Sequence, residues 1–244
     1  MKHLRKVFLI ETKELLFLGW SNTSNLNMAR NQQTASVLAN GKVLVTGGWY
    51  DAYLNSAELY DPSTGMWTVT GNMNDPREAH TASILTNETV LVTGGYNRSY
   101  LIGTELYNSS TGTWTVTRSM NCIRSYHTAS VLTNGKVLVA GGFNGSVYLS
   151  NAELYDPSTG VWTVTGNMSY TRSEHTASVL ANGKVLVTGG PGNSAELYDP
   201  LTGVWTVIGN MTYARQYHTA SVLTNGKVLV TGGLSNGVRT AELY

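Results

Sequence analysis

The sequence has few of the groups on which disulfide-linked, metal-cluster and strongly charged proteins depend. Its single cysteine, Cys122, excludes an internal disulfide and any metal site built from several cysteines. Charged residues make up only 13% of the 244 residues, and the formal net charge is +1. A chain so weakly charged has no broad field for nucleic acid or an anionic membrane, and we expect neither as a partner.

Long apolar runs are also missing. The N-terminus begins basic, but the apolar run at residues 7–10 is followed at once by Glu11, Lys13 and Glu14. A secretory signal needs roughly 7–15 consecutive apolar residues, and a membrane helix about 18 or more. We therefore predict neither, and we favour a cytoplasmic location.

Proline is scarce (5) and glycine abundant (26), as is typical of many short strands joined by tight turns. The glycines reveal an internal repeat, since a Gly-Gly pair begins at Gly47, Gly94, Gly141, Gly189 and Gly232. The intervals are 47, 47, 48 and 43 residues. The segment HTAS (QTAS at Gln33), a preceding Arg, the segment Glu-Leu-Tyr and a later Trp recur in the same order. A repeat of this length predicts a modular architecture.

Each unit is predicted to contain four strands. In the first unit, apolar runs at 35–38 and 43–45 flank Asn40-Gly41, a pair that favours a type I′ hairpin. A third strand with Glu-Leu-Tyr, a turn at Asp61-Pro62 and a fourth strand from Trp67 complete an antiparallel meander. Such a sheet cannot bury both faces alone, so the units must stack, and radial stacking produces a β-propeller.

The order of Arg, Gly-Gly, Tyr and spaced Trp resembles the kelch family, over roughly residues 20–244. WD-repeat propellers are the rival at the level of fold, but their Gly-His and Trp-Asp signatures are absent. The predicted fold class is all-β: a kelch-type β-propeller of four-stranded antiparallel blades. Residues 1–19 form an unassigned extension, and the repeats cover about 30–72, 77–119, 124–167, 172–210 and 215–244.

Strand counting suggests how the ring closes. The last repeat stops at Tyr244, before any Trp, whereas Trp20 lies 47 residues before Trp67 with no first three strands of its own. An N-terminal outer strand near Trp20 would complete the last blade, giving five blades and a closed ring without exposed edges. The alternative is that the chain is a piece of a six- or seven-bladed propeller.

Two sets of loops vary among otherwise constant repeats: those after Gly-Gly and those before HTAS. Because the strands are antiparallel, both sets lie at one end and form a rim, where a binding site is expected. Tyr, Trp and Arg dominate binding energetics, and kelch relatives commonly bind peptides with these loops, some through repeat arginines. The predicted ligand-binding residues are Arg30, Arg77, Arg124, Arg172, Arg215, Trp49, Tyr50, Tyr96, Phe143, Tyr170 and Tyr213.

Each candidate has an alternative interpretation. Five repeat arginines match five Glu-Leu-Tyr glutamates in number, so they could pair within blades, and the aromatic residues could simply pack together. The four HTAS histidines could point at the channel and bind metal, but Gln33 shows that the position does not require imidazole. Cys122, between Arg118 and Arg124, is a weak candidate for a reactive thiol.

These features predict a non-enzymatic, monomeric scaffold that binds a protein or peptide on the rim, without cofactor or metal. The BTB domain carried by many kelch relatives is not in this sequence. The alternative is a carbohydrate-binding or galactose-oxidase-like propeller. Galactose oxidase uses copper with a Tyr cross-linked to Cys, and no such set is recognisable around Cys122. No nucleophile elbow, phosphate loop, zinc motif or dinucleotide fingerprint is present.

Overall fold

The computed structural model describes residues 22–234 and 239–244, which form antiparallel β-sheets arranged as a five-bladed propeller. Four sheets have four strands and one has three. Blade one contains β1 (Thr34–Val37), β2 (Val43–Thr46), β5 (Ala57–Asp61) and β6 (Met66–Val69), with a small ribbon of β3 (Trp49–Tyr50) and β4 (Ala52–Tyr53). Blade two contains β7 (Thr81–Ile84), β8 (Thr89–Thr93), β9 (Thr104–Asn108) and β10 (Thr113–Thr117). Blade three contains β11 (Thr128–Val131), β12 (Val137–Ala140), β13 (Ala152–Asp156) and β14 (Val161–Val164).

Blade four contains β15 (Thr176–Val179), β16 (Val185–Thr188), β17 (Ser194–Asp199) and β18 (Val204–Asn210). Blade five contains β19 (Thr219–Val222), β20 (Val228–Thr231) and β21 (Ala241–Leu243). The first strands of successive blades contact one another from β1 to β19, so they surround the axis. The predicted fold class is therefore confirmed. Among the described residues, no helix is long and apolar enough to cross a membrane.

The hairpin between the first two strands of a blade differs from the predicted type I′ turn. The Gly41 amide donates to the Leu38 carbonyl at 2.9 Å, and only Gly41 of the Asn-Gly pair has a positive φ, at 80°. This is a three-residue loop in which a tight turn is followed by one left-handed residue. The Asn40 side chain accepts a hydrogen bond from the Lys42 amide at 3.1 Å, which explains the asparagine. In blade two, Glu88 occupies the left-handed position with a φ of 65°.

The Gly-Gly pair is required where neighbouring blades approach most closely. Gly47 has a φ of 61°, and a Cβ there would lie 2.5 Å from the Arg77 carbonyl oxygen and 2.8 Å from His80 Cε1 of the next blade. Any side chain would push the two blades apart, so the glycine is a packing requirement as well as a conformational one.

Adjacent blades share their hydrophobic cores. Leu44 and Ala57 of blade one, for example, pack with Val90 and Tyr107 of blade two. The Tyr107 hydroxyl is also 2.8 Å from Thr70 Oγ1, and Trp114 donates its indole N–H to the Gly71 carbonyl at 2.8 Å. The recurring Tyr and Trp therefore join blades two, three and four to the preceding blade, which explains their recurrence among the repeats.

The first described residues pack on blade one as an inter-blade segment does. The Ser24 amide donates to the Gly65 carbonyl at 3.2 Å, as the Gly71 amide does to Gly112 at 3.1 Å. Residues 24–30 thus take the place on blade one that residues 71–77 take on blade two. The outer strand predicted near Trp20 lies outside the described residues.

Blade five approaches blade four closely, and among the described residues the equivalent close approach to blade one is not made. A Cβ on Gly189 of blade four would lie 2.5 Å from the Arg215 carbonyl oxygen, whereas none of the described atoms lies within 4 Å of such a Cβ on Gly232. β21 is the last described strand of its sheet, and Leu243 is exposed on it.

Candidate functional site

The five repeat arginines lie inside the blades, which corrects their predicted place on a ligand-binding rim. Arg77 is fully buried, and its Nη2 lies 2.8 Å from Glu105 Oε1. Its Nη1 donates to the carbonyls of Gly94 and Gly103 at 2.9 and 3.0 Å. The same pairing holds in every blade: Arg30 with Glu58, Arg124 with Glu153, Arg172 with Glu196, and Arg215 with Glu242.

These ion pairs have a structural role because a buried guanidinium group needs a counter-charge and several acceptors. Each arginine side chain donates to the carbonyl of the first glycine in the Gly-Gly pair of its blade and so fixes that turn. Each glutamate also accepts hydrogen bonds from backbone amides; Glu105, for example, accepts one from the Asn74 amide at 2.7 Å. The loops of the rim are thereby anchored to the blades. The Glu-Leu-Tyr carboxylates are likewise committed to arginine rather than to a shared site.

The HTAS histidines lie buried between blades. His80 Nε2 is 3.0 Å from Thr34 Oγ1 of the preceding blade, and His127, His175 and His218 make equivalent contacts. Burial and the neighbouring Arg77 guanidinium lower the pKa of His80 to about 3. These imidazoles are therefore neutral at physiological pH. Among the described residues, no group of three or more His, Cys, Asp or Glu is placed to hold a metal ion.

The predicted aromatic residues do line the rim. A continuous row crosses blades one to three, with ring centroids 4.9–5.6 Å apart: Tyr53, Tyr96, Tyr100, Phe143 and Tyr148. Trp49, Tyr50, Tyr148, Tyr170 and Tyr213 each expose between 38% and 52% of their surface. The rings of the row pack against one another, as one interpretation made from the sequence holds, and ligand binding by them stays a prediction.

Sequence reasoning missed the residues nearest the axis. The residue immediately before each HTAS or QTAS segment has a φ between 50° and 57°, and we call this set the axial mouth: Gln32, Ala79, Tyr126, Glu174 and Tyr217. Three hydrogen bonds of 3.1 Å join successive blades there, from the amide of Tyr126 to Ala79, of Glu174 to Tyr126, and of Tyr217 to Glu174. The available signal was that these positions vary while their neighbours in HTAS do not.

Side chains of the axial mouth from different blades contact one another near the axis. The Tyr217 hydroxyl donates to Glu174 Oε1 at 2.5 Å, and the Tyr126 hydroxyl donates to Gln32 Oε1 of blade one at 3.3 Å. A cavity of about 520 Å³ lies there, lined by Gln32, Ala79, Tyr126 and Tyr217 of the axial mouth and by Gln33, His80 and His127; Glu174 is not among its lining residues. This volume is in the range of small-ligand sites.

Two carboxylates, Glu78 and Glu174, lie close to the phenols of the axial mouth. Burial, followed by the charges of Glu78 and Glu174, raises the pKa of Tyr126. Burial and the Glu174 carboxylate raise the pKa of Tyr217, and burial raises that of Glu78. The burial contribution disfavours a charge of either sign, whereas the contribution of the carboxylates disfavours additional negative charge only.

Two other features lie apart from this site. Cys122 is partly buried in the rim, and its amide donates to Glu153 Oε1 at 3.0 Å, within the ion-pair framework. A second cavity, of about 140 Å³, lies beside β21 and is lined mainly by side chains of blades four and five such as Ile208, Met211 and Val230.

The comparisons with known proteins agree with this architecture. The solved structure of YjhT is similar, with a TM-score of 0.76 and 15% sequence identity, covering 91% of this chain and 82% of that one. At this identity the likeness shows the fold alone. No curated protein matches significantly. The sequence profile of the KLHDC2/KLHL20/DRC7 Kelch-repeats domain matches residues 33–233. The chain therefore belongs to the KLHDC2/KLHL20/DRC7 kelch-repeat domain family.

Proposed function

We propose that this propeller is a non-enzymatic scaffold that binds a protein or peptide partner on its rim. The observation that carries the proposal is the row of packed aromatic rings on the rim, next to an axial mouth whose Tyr126 and Tyr217 line a cavity. Tyr and Trp supply large contact areas at a low entropic cost, and they are enriched at the centres of protein interfaces.

The framework supports such a role because it holds the rim loops rigidly. The buried Arg–Glu pairs tie the loops to the blades, so little ordering entropy is lost on binding. The same pairs occupy the glutamates that would otherwise be candidates for acid–base chemistry, which supports the non-enzymatic part of the proposal. Fold membership alone does not identify the partner.

Arginine variants are unsuitable as a test because they break buried ion pairs, so the test uses exposed rim residues. A photo-crosslinking amino acid replaces Tyr50 or Tyr148 on the rim, and Leu201 at the opposite end serves as the control. Leu201 is 95% exposed, in the turn between β17 and β18. The folded proteins are irradiated in lysate of the native cells, and the cross-linked products are identified by mass spectrometry.

The proposal predicts polypeptide adducts from Tyr50 and Tyr148, but not from Leu201, and their loss when neighbouring rim tyrosines are changed to alanine. Equal labelling from both ends would contradict it. So would loss of the adducts after enzymatic removal of glycans from the lysate, since that result would favour the carbohydrate-binding alternative.

A further inference from the structure

The axial mouth and the adjacent Glu78 combine two carboxylates, two phenols and a cavity without a matching positive charge. Glu174 belongs to the mouth and Glu78 directly precedes Ala79, and both lie close enough to Tyr126 to raise its pKa. Neither carboxylate forms an ion pair within the described ranges 22–234 and 239–244. This distinguishes them from the Glu-Leu-Tyr glutamates, each of which is neutralised by an arginine.

The nearby cations do not neutralise the mouth. Arg77, Arg124, Arg172 and Arg215 are buried and paired with glutamates inside the blades. The exposed Arg98 lies near Tyr53 and acts to lower the pKa of that phenol. Burial, Tyr96 and Glu78 outweigh this effect, so the pKa of Tyr53 is raised overall. Burial still raises the pKa of Glu78, so its carboxylate is partly dehydrated and has no compensating partner.

The aromatic walls favour a positively charged group with an apolar stem. Tyr126 and Tyr217 line the cavity, and Tyr53, Tyr100 and Tyr148 lie close enough to affect the pKa of one or the other. An ammonium or guanidinium group within about 6 Å of a tyrosine ring is attracted by the ring face, and the stem of lysine or arginine packs on aromatic surface. Ala79 leaves the space open on the side of blade two.

The phenol of Tyr217 prepares the site by holding one carboxylate oxygen of Glu174. The backbone bonds between blades fix both residues, so the carboxylate does not have to be ordered on binding. A rigid carboxylate beside aromatic rings forms charge-assisted hydrogen bonds with a cation and repels an anion.

We propose that the axial mouth binds a lysine or arginine side chain of the partner, held between Glu78 and Glu174 and against the surrounding tyrosine rings. The inference rests on the proposed function, because it assigns the chemistry of the partner at the centre of the rim. The partner is thus a basic peptide segment, with the stem of one cationic side chain against Tyr126 and Tyr217, which line the cavity, and its charge towards the carboxylate that Tyr217 holds.

The test uses fluorescein-labelled Gly/Ser peptides that carry lysine, arginine, glutamine or glutamate at the same positions. Binding is measured by fluorescence anisotropy for the parent, for E78Q/E174Q and for the control E88Q. Glu88 is exposed in the hairpin between β7 and β8, at the other end of the blade, so E88Q removes a charge away from the mouth. Circular dichroism and thermal melting verify that all variants fold.

The lysine and arginine peptides are expected to bind the parent, and the glutamine and glutamate peptides are not. E78Q/E174Q should weaken binding of the lysine peptide about tenfold, which corresponds to about 1.4 kcal/mol at 25 °C. E88Q should leave the affinity within about twofold, because a distant exposed charge is screened by salt. Y217F, which keeps the ring and releases Glu174, should weaken binding by a smaller factor.

Equal affinities of E78Q/E174Q and E88Q would overturn the proposal, as would preferential binding of the glutamate peptide. Competition by free spermidine at lower concentrations than the unlabelled lysine peptide would also overturn it, by assigning the site to a small amine. If rim photo-crosslinks to polypeptide persist in E78Q/E174Q, only the cation assignment fails and the proposed function stands. If the rim forms no such crosslinks, the proposed function itself fails.

Discussion

The buried histidines make the fold sensitive to mild acid. Burial, with smaller effects of neighbouring cationic groups, lowers the pKa of His80 and His175 to about 3 and that of His127 well below its usual value. In the unfolded chain each has a pKa of about 6.5. Between these values the unfolded chain binds more protons than the folded one. Stability contributed by the neutral histidines is therefore fully present above pH 6.5 and is lost as the pH falls towards 3.

The expected loss can be estimated from this linkage. At pH 5.5, one pH unit below the unfolded pKa, each histidine destabilises the fold by about 1.4 kcal/mol relative to neutral pH, or about 4 kcal/mol for the three together. A domain of this kind is stable by roughly 5–15 kcal/mol, so the loss is a large fraction of the total. Glu58 has a lowered pKa, because hydrogen bonds to its charged form outweigh burial. The stability that its carboxylate contributes to the fold is therefore lost only at lower pH.

The assay is urea unfolding at constant ionic strength from pH 7.5 to 5.0, followed by tryptophan fluorescence. His175→Asn serves as the comparison, because it removes one titrating group while keeping a polar side chain. The variant is expected to be less stable at neutral pH and to lose stability less steeply as the pH falls, by up to about 1.4 kcal/mol per pH unit. A total loss under about 1 kcal/mol at pH 5.5, or an unchanged slope in the variant, would refute the assignment of neutral buried imidazoles.

Three further predictions concern stability, each measured by chemical denaturation. Arg124→Ala leaves Glu153 buried without its partner and should lower the free energy of unfolding by about 3–5 kcal/mol. Replacing both residues with apolar residues of similar size should lower it clearly less, and an equal loss would contradict the buried ion pair. Gly94→Ala should cost about 3 kcal/mol or more, since a Cβ there would lie 2.3 Å from the Arg124 carbonyl oxygen; a neutral effect would disprove the close approach of the blades. Glu88 and Gly135 both have a left-handed φ, which favours glycine. Glu88→Gly should therefore stabilise the fold by about 1 kcal/mol, and the reciprocal Gly135→Glu should destabilise it by a similar amount. The same sign for both changes would argue against backbone conformation as the cause.

Local sequence was sufficient to predict the blades. Strand alternation, the residues of the tight turns and the repeat interval depend on neighbours within one unit, and each unit is a sheet that needs stacking partners. The hairpin type was missed because Asn-Gly is compatible with more than one loop, and the hydrogen bond from Gly41 to Leu38 selects the longer one. The Asn-Gly pair alone does not determine which of its two residues adopts a left-handed backbone conformation.

The positions of the arginines required the tertiary structure. A side chain such as Arg77 has the same sequence neighbours whether it faces a ligand or Glu105, which is 28 residues away. Burial decides between these outcomes, because a guanidinium group taken out of water must find a carboxylate and carbonyl acceptors nearby. The match in number between arginines and glutamates was the sole hint available from the sequence.

The repeated framework could thus be inferred from the sequence alone: five units, the positions of their strands, and loops gathered at one end. Tertiary structure alone decided which variable residues meet at the axis. Tyr126 and Gln32 are 94 residues apart and touch only because five blades turn around a common centre. Local patterns determine what each blade is, whereas the closeness of residues from different blades depends on the angle at which blades pack, a property of their shared cores.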